Sequence, residues 1–328
     1  MARAWHLKSR PEAMPTADNF ELKDFDLPPL GDGMVRVRNH WLSVDPYMRG
    51  RMNDAKSYVP PFQVGQPLEG GAVAEVVESN ADGFAPGDLV VHMGGWRDEA
   101  VVPAQAARKL PALGAEPQQF LGVLGTTGAT AYFGLLDAAS AKEGDVVFVS
   151  AAAGAVGSVV VQIAKAKGMT VIGSAGGADK CDHVRSLGAD EVVDYRAAPI
   201  PKGLAAAAPD GIDVYFDNVG GDHLDAALAL ARNHARFAIC GMIQGYNKRE
   251  ATSLKFAMRV IAARVRLQGF LVFDYQSRME EFYSDMGGWL KSGAVKSRET
   301  IVEGLEQTPD AFLGLFRGEN VGKMLVKL

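Results

Sequence analysis

Val146-Val-Phe-Val-Ser150-Ala-Ala-Ala-Gly154-Ala-Val-Gly157, running on into Ser158-Val-Val-Val-Gln-Ile-Ala164, is the stretch whose reading decides the fold. Its opening residues are β-branched and aromatic, its middle is Ser, Ala and Gly, and from Ser158 to Lys167 the pattern is helical. No charge interrupts Val146 to Ala164, a window of membrane length, but the change of pattern inside it reads as strand, turn and helix rather than one bilayer helix. Ala152-x-Gly154-x-x-Gly157 then becomes a dinucleotide-binding turn with Ala in place of the first glycine. The first position makes the tight turn, Gly154 lets backbone approach a pyrophosphate, and Gly157 lets helix pack on strand. The helix start offers unpaired N–H groups and a positive dipole end to phosphate.

Working outward, the chain downstream alternates helix and strand. Strands are expected at Asp145–Ser150, Thr170–Ser174, Glu191–Asp194, Asp213–Asp217, Arg236–Cys240 and Val265–Val272. Helices are expected at Ser158–Lys167, Asp179–Leu187 and Asp222–Ala231, the last with Leu224, Ala227, Leu228 and Ala231 on one face. Such alternation predicts a doubly wound parallel sheet with helices on both sides. Ala205–Ala208 reads as a small loop or helix start. Upstream, short alternating segments such as Met34–Asn39, Gly71–Val77 and Asp88–His92, bounded by Gly, Pro, Asn or Asp, predict a barrel-like all-β unit. Gly322–Leu328 looks like a strand that returns to it.

An NAD site places Asp or Glu about 20 residues past the glycines, at the tip of the second strand. Here the tip is Ser174-Ala-Gly-Gly177, with no carboxylate, and Lys180 follows. Space, amides and a cation suit a 2′-phosphate, so the tip predicts NADPH. The alternative for Lys180 is a solvated lysine at a helix start. Tyr195 and Arg196, after the third strand, stand where they could close the same pocket.

Composition narrows the classes. At 328 residues the chain has room for about two domains, and 37 glycines exceed the usual share of about 7%. A net charge of -5 with mixed signs offers no basic stripe for nucleic acid and no polybasic membrane anchor. Two cysteines, Cys181 and Cys240, make no disulfide framework and suit a reducing cytoplasm. His6, His40, His92, His183, His223 and His234 form no helix-spaced pair, so no metal site is expected. No Gly-x-Ser-x-Gly elbow is present, which excludes the common serine hydrolase pattern.

Six segments carry a family resemblance: Ser43-Val-Asp-Pro-Tyr-Met-Arg-Gly50, Leu124-Gly-Thr-Thr-Gly-Ala-Thr-Ala-Tyr132, the Ala151–Gly157 turn, Phe216-Asp-Asn-Val-Gly-Gly221, Cys240-Gly-Met-Ile-Gln-Gly-Tyr-Asn247 and Gly318-Glu-Asn-Val-Gly-Lys323. In this order they resemble the medium-chain dehydrogenase/reductase superfamily over essentially the whole chain. The likeness is to its zinc-independent branch of prostaglandin reductases, alkenal double-bond reductases and curcumin reductases. The resemblance implies a GroES-like barrel from residues 1–122 and 299–328, a Rossmann domain from 123–298, and a substrate cleft at their junction. It implies NADPH contacts at Gly154, Val156, Gly157, Lys180, Tyr195, Asn218, Cys240, Tyr246 and Asn320, with Phe270–Val272 flanking the nicotinamide. Cys240 is otherwise a small buried hydrophobe, the commoner fate of a free Cys. A homodimer is implied because the family pairs through its cofactor domains.

The chain departs from the plant reductases in one respect. Where they carry a tyrosine proposed as proton donor, an ungapped count gives Ala262, and suspicion shifts to Tyr47 or solvent. Tyr47 beside Pro46 could equally be a core aromatic. The expected activity is NADPH-dependent reduction of the carbon-carbon double bond of α,β-unsaturated aldehydes and ketones. A zinc-free quinone reductase is the enzymatic alternative. A non-catalytic NADPH-binding sensor or structural protein is the alternative of another class.

Overall fold

Short segments bounded by Gly, Pro and Asp become seven strands before residue 122: β1 (Ala2–Leu7), β2 (Phe20–Phe25), β3 (Met34–Ser43), β4 (Ala72–Ser79), β5 (Leu89–His92), β6 (Glu99–Pro103) and β7 (Arg108–Lys109). One helical turn, α1 (Met48–Arg51), follows β3. Alternation puts Val35, Val37, Val76 and Val90 into a buried cluster, while Arg36 and Arg38 face Glu99 on the other side. β3 runs to Ser43 rather than ending near Asn39. Its register against β4 shifts between Asn39 and Trp41, and that irregularity breaks the alternation a sequence reading relies on.

The computed structural model describes residues 1–248 and 252–328. From Val123 to Arg298 the chain forms a second unit. Its strands are β8 (Val146–Val149), β9 (Thr170–Ala175), β10 (Glu191–Asp194), β11 (Ile212–Asp217), β12 (Ala231–Ile239) and β13 (Arg266–Gly269). They pair in parallel in the order β10-β9-β8-β11-β12-β13. The order reverses between β8 and β11, the doubly wound arrangement whose switch point opens a ligand crevice at the carboxyl ends of the strands. Helices α2 (Thr126–Phe133), α3 (Gly157–Ala166), α4 (Ala178–Ser186), α5 (Ile200–Ala207), α6 (Gly221–Ala229), α7 (Arg259–Ala262) and α8 (Met279–Ser292) connect or flank them. Phe148, Ile172, Leu204, Tyr215, Leu228 and Phe237 lie in one core cluster of this unit.

Three boundaries differ from the sequence reading. The alanines at 205–207 are the end of α5, which starts after Pro199 and buries Ile200 and Leu204 one turn apart. Ala231 does not extend α6 but opens β12, because Leu230 leaves helical geometry and Ala231 pairs with Ile212. β13 stops at Gly269, and Val272 begins a 3-10 segment that runs to Arg278.

After the second unit, β14 (Glu299–Glu303), α9 (Thr308–Arg317) and β15 (Lys323–Lys327) rejoin the first. The larger sheet of the first unit has the order β14-β15-β3-β4-β5-β7, with β6 also on β3, and β1 pairs β2 separately. Around Leu7, Leu42, Trp96 and Phe312 the two chain regions share a core, with Phe20 stacked on Trp96 at 5.6 Å.

Candidate functional site

The glycine turn leaves β8 and enters α3 with its backbone tightly folded. Ala151 takes a left-handed φ of 48°, the Gly154 N–H donates to the Ala151 carbonyl at 2.9 Å, and the Ala152 N–H donates to the Ser174 carbonyl at 2.9 Å. A Cβ on Gly157 would lie 2.3 Å from the Ala151 oxygen, so only glycine lets α3 start this close to the strand end. At Gly154 the nearest atom to such a Cβ is the same oxygen at 3.2 Å, and nothing else lies within 4 Å. Crowding within the protein thus explains Gly157 and leaves Gly154 bordered by open space. Val156 sits at the start of α3, where backbone N–H groups lack helical partners.

At the tip of β9 the chain brings Lys180, Tyr195 and Arg196 around Gly176 and Gly177. Tyr195 lies against Gly176 so closely that a Cβ there would be 2.6 Å from its hydroxyl. Burial lowers the Lys180 ammonium below the usual lysine range, and Arg196 adds to the effect. The tip thus holds two cationic side chains close to one another, with the Asp194 carboxylate beside Arg196. Ser174 contributes no side-chain contact, because its hydroxyl is fully buried without a partner. The Gly177 amide is already committed: it donates to Asp194 at 2.9 Å, as does the Arg196 amide. These backbone bonds, Gly177 first, hold the Asp194 carboxyl below its ordinary range. The cationic side chains, more than the amides expected from sequence, are what the tip offers.

At the switch point, Ser150 from β8 and Asp217 from β11 meet. The Asn218 N–H donates to Ser150 Oγ at 2.9 Å, and Asn218 Nδ2 donates to the Ser150 carbonyl at 2.8 Å. Asp217 Oδ1 accepts from the Tyr215 hydroxyl at 2.7 Å, the Val219 N–H at 2.9 Å and the Gly220 N–H at 2.7 Å. The Asp217 carbonyl accepts both the Cys240 and Gly241 N–H groups at 2.9 Å, which fixes the end of β12 beside it. Burial, and then Asp217, pushes the Cys240 thiol up to about 12. It is therefore a neutral wall at physiological pH and no nucleophile. Tyr246 closes the same loop: its hydroxyl accepts the Met242 N–H at 3.3 Å and lies 3.1 Å from where a Gly241 Cβ would be.

Phe270 follows β13 and packs edge-on to Phe216 with centroids 6.2 Å apart. Gly134 makes room for it, since a Cβ there would lie 2.4 Å from the ring. Val272 stands two residues on, half-buried.

Tyr47 and Asn320 belong to the first unit. Tyr47 precedes α1 and is half-buried; burial, then Asp45, raises its phenol above the ordinary range, so it keeps its proton at neutral pH. Asn320 turns its amide to the Gly322 carbonyl at 2.8 Å. Next to it, the buried Lys323 ammonium donates to Asp45 Oδ1 at 2.6 Å and to the Val44 carbonyl at 3.0 Å, while the Ser43 hydroxyl donates to Asp45 Oδ2. This ion pair ties together the two motif segments that carry Tyr47 and Asn320. Sequence reasoning missed it, and missed Ser150 and Asp217. The available signal was position: a Ser and an Asp each at the carboxyl end of an apolar strand, and a Lys inside a run of buried residues.

Among the described residues no group of three or more His, Cys, Asp or Glu is placed to hold a metal ion. Residues 3–110 match a family described as the N-terminal domain of oxidoreductase, and residues 155–287 one described as zinc-binding dehydrogenase. The chain is 44% identical to the NADPH-dependent curcumin reductase of Escherichia coli (strain K12), over 99% of its own length and 96% of the relative's. It is 40% identical to prostaglandin reductase 1 of Rattus norvegicus, over 99% of both chains. Among solved structures, CurA from Vibrio vulnificus in complex with NADPH matches with a TM-score of 0.95 at 44% identity, covering 99% of this chain and 98% of that one.

Proposed function

The chain belongs to the medium-chain dehydrogenase/reductase family, in the branch of the curcumin and prostaglandin reductases, and on that premise we propose that it reduces the carbon-carbon double bond of α,β-unsaturated aldehydes and ketones with NADPH. The observation that carries the cofactor half is the tip of β9, where Lys180 and Arg196 converge beside Gly176–Gly177 with no carboxylate on the strand tip itself. The residues present fit the cofactor. Gly154 leaves room beside the start of α3 for a pyrophosphate, Val156 and Gly157 present backbone, and Lys180 with Tyr195 and Arg196 suits a 2′-phosphate. Asn218, Cys240 and Tyr246 line the switch-point end, and Phe270 and Val272 form the apolar flank for the nicotinamide. Asn320 is assigned a cofactor contact from the resemblance.

Bound NADPH supplies a hydride. The remaining chemistry asks little of the protein. When the β-carbon of an enone gains a hydride, the charge spreads into an enolate, and one or two hydrogen-bond donors can hold it. Tyr47 is the proposed donor, because its phenol stays protonated. Protonation at the α-carbon completes the reduction.

The decisive experiment uses NADPH carrying deuterium at C4 and a simple enone. Label is expected on the β-carbon with the carbonyl intact. Label on the carbonyl carbon sinks double-bond reduction.

The proposed setting is a cytoplasmic homodimer. The dimer reading comes from the family resemblance and is supported by β13, which ends the sheet with all four residues exposed, and by Met258 and Ile261 shortly before it in the chain, each 72% exposed. An open sheet edge of this kind invites pairing with a second copy. Sedimentation velocity should give a dimer that Ile261→Lys weakens; a monomeric wild type overturns it.

A further inference from the structure

The groups at the switch point do more than border a crevice. Asp217 is fully buried, and its own segment and the ends of two other strands, β8 and β12, are fastened to it. Its carboxylate takes the Tyr215 hydroxyl and the Val219 and Gly220 amides, with Ser150 Oγ at 3.4 Å, and its carbonyl takes the Cys240 and Gly241 amides. Tyr215 is itself fully buried and stacks on Phe148 at 5.0 Å, so the phenol cannot swing away. Ser150 links the other side of the crevice, accepting the Asn218 amide on its hydroxyl and the Asn218 side-chain NH2 on its carbonyl. Because a carbonyl can only accept, the NH2 of Asn218 must point at Ser150. Its Oδ1, which takes no bond among the described residues, is left available as an acceptor.

We propose that Asp217, backed by Tyr215 and Ser150, is a positioning residue of the cofactor site: it locks the ends of β8, β11 and β12 together and thereby fixes the direction of the Asn218 amide, so that the site presents an acceptor there. This rests on the NADPH reading above. The second half of a doubly wound sheet holds the nicotinamide mononucleotide, whose carboxamide and ribose hydroxyls are the available donors.

The test is a double-mutant cycle on NADPH dissociation constants, read from cofactor fluorescence without turnover. Asp217→Ala should weaken NADPH binding roughly tenfold to a hundredfold, as the loss of buried bonds to a charged acceptor does. Asp217→Asn keeps an acceptor oxygen for Tyr215, Val219 and Gly220 but buries an NH2 at the Oδ2 position, so it should lower the melting temperature while NADPH binding stays within about threefold of wild type. In an Asn218→Ala background, the Asp217→Ala effect should shrink severalfold. Additive effects in a folded protein overturn the proposal, as does Asp217→Ala that lowers the melting temperature while the folded fraction binds NADPH like wild type. Should Asp217→Ala fail to fold, the same cycle is run with Ser150→Ala and Tyr215→Phe, each expected to weaken binding severalfold and non-additively with Asn218→Ala. A wild-type protein that binds no NADPH would sink the cofactor reading instead, so the two failures are distinct.

Discussion

Substituting Gly154 and Gly157 by alanine, one at a time, separates two roles that a glycine motif normally hides. At Gly157 the added methyl meets three backbone atoms of Ala151–Ala152: the Ala151 oxygen at 2.3 Å, the Ala151 carbonyl carbon at 2.9 Å and Ala152 Cα at 2.9 Å. None of these atoms belongs to a flexible side chain, so α3 must move away from the end of β8. Overpacking of this kind costs about 1–3 kcal/mol. In a unit of this size each 1 kcal/mol lowers the melting temperature by about 2–4 °C, so Gly157→Ala should melt roughly 2–12 °C early. At Gly154 the only neighbour is one oxygen at 3.2 Å, and neither glycine has a positive φ, so backbone strain adds nothing. Easing that one contact by a few tenths of an ångström should cost about 0.5 kcal/mol at most, so Gly154→Ala should melt within about 2 °C of wild type. Its methyl instead fills the space a pyrophosphate would use, and NADPH should bind at least about tenfold more weakly, a loss of about 1.4 kcal/mol. Thermal unfolding by circular dichroism and fluorescence titration with NADPH read the two effects independently. If Gly154→Ala proves the destabilised variant and binds NADPH normally, the assignment of open space to the cofactor is wrong.

Lys180→Ala should weaken NADPH by about tenfold to a hundredfold while leaving NADH nearly unaffected, because only the former has a 2′-phosphate to lose a charge-assisted contact; an unchanged ratio of the two cofactors makes Lys180 a surface lysine. Tyr47→Phe should cut turnover about a hundredfold to a thousandfold with little change in NADPH affinity, and stopped-flow turnover beside equilibrium titration distinguishes the two. Since burial raises the Tyr47 phenol above its ordinary value, wild-type turnover should show no loss from its ionisation up to about pH 10. An alkaline limb near neutrality that vanishes in Tyr47→Phe refutes the protonated-donor role.

The alternation of strands and helices along the chain and the glycine turn were legible in the sequence because both are local. Val146–Val149 is β-branched and apolar, Gly157–Ala166 is an apolar helix, and the small residues between them have few other uses. Ala231 shows where such reading stops. Its place on an apolar helical face and its place at the start of a buried strand have the same local signature, and pairing with Ile212 decides between them. The tip of β9 was half legible: the missing carboxylate could be read, but not that Asp194, from the neighbouring strand, would take the Gly177 amide. Lys323 and Asp45 were legible only as members of separate motifs, since nothing in a local pattern announces a partner at the far side of an inserted domain.

The placement of β15 has a consequence for how the polypeptide is made. It lies between β14 and β3, and its Lys323 neutralises Asp45, so the first unit waits for a strand translated about 280 residues after Val44. At about 5–20 residues per second, that delay is roughly 15–60 s on the ribosome. During it, Val123–Arg298 emerges as an unbroken stretch able to form its own core, while the earlier-made β3 holds an open edge and a carboxylate without its cation. The cofactor unit is thus expected to fold before the unit whose synthesis began first. A nascent chain stalled before Lys323 should resist protease across Val123–Arg298 and be cut readily between Met34 and Gly122.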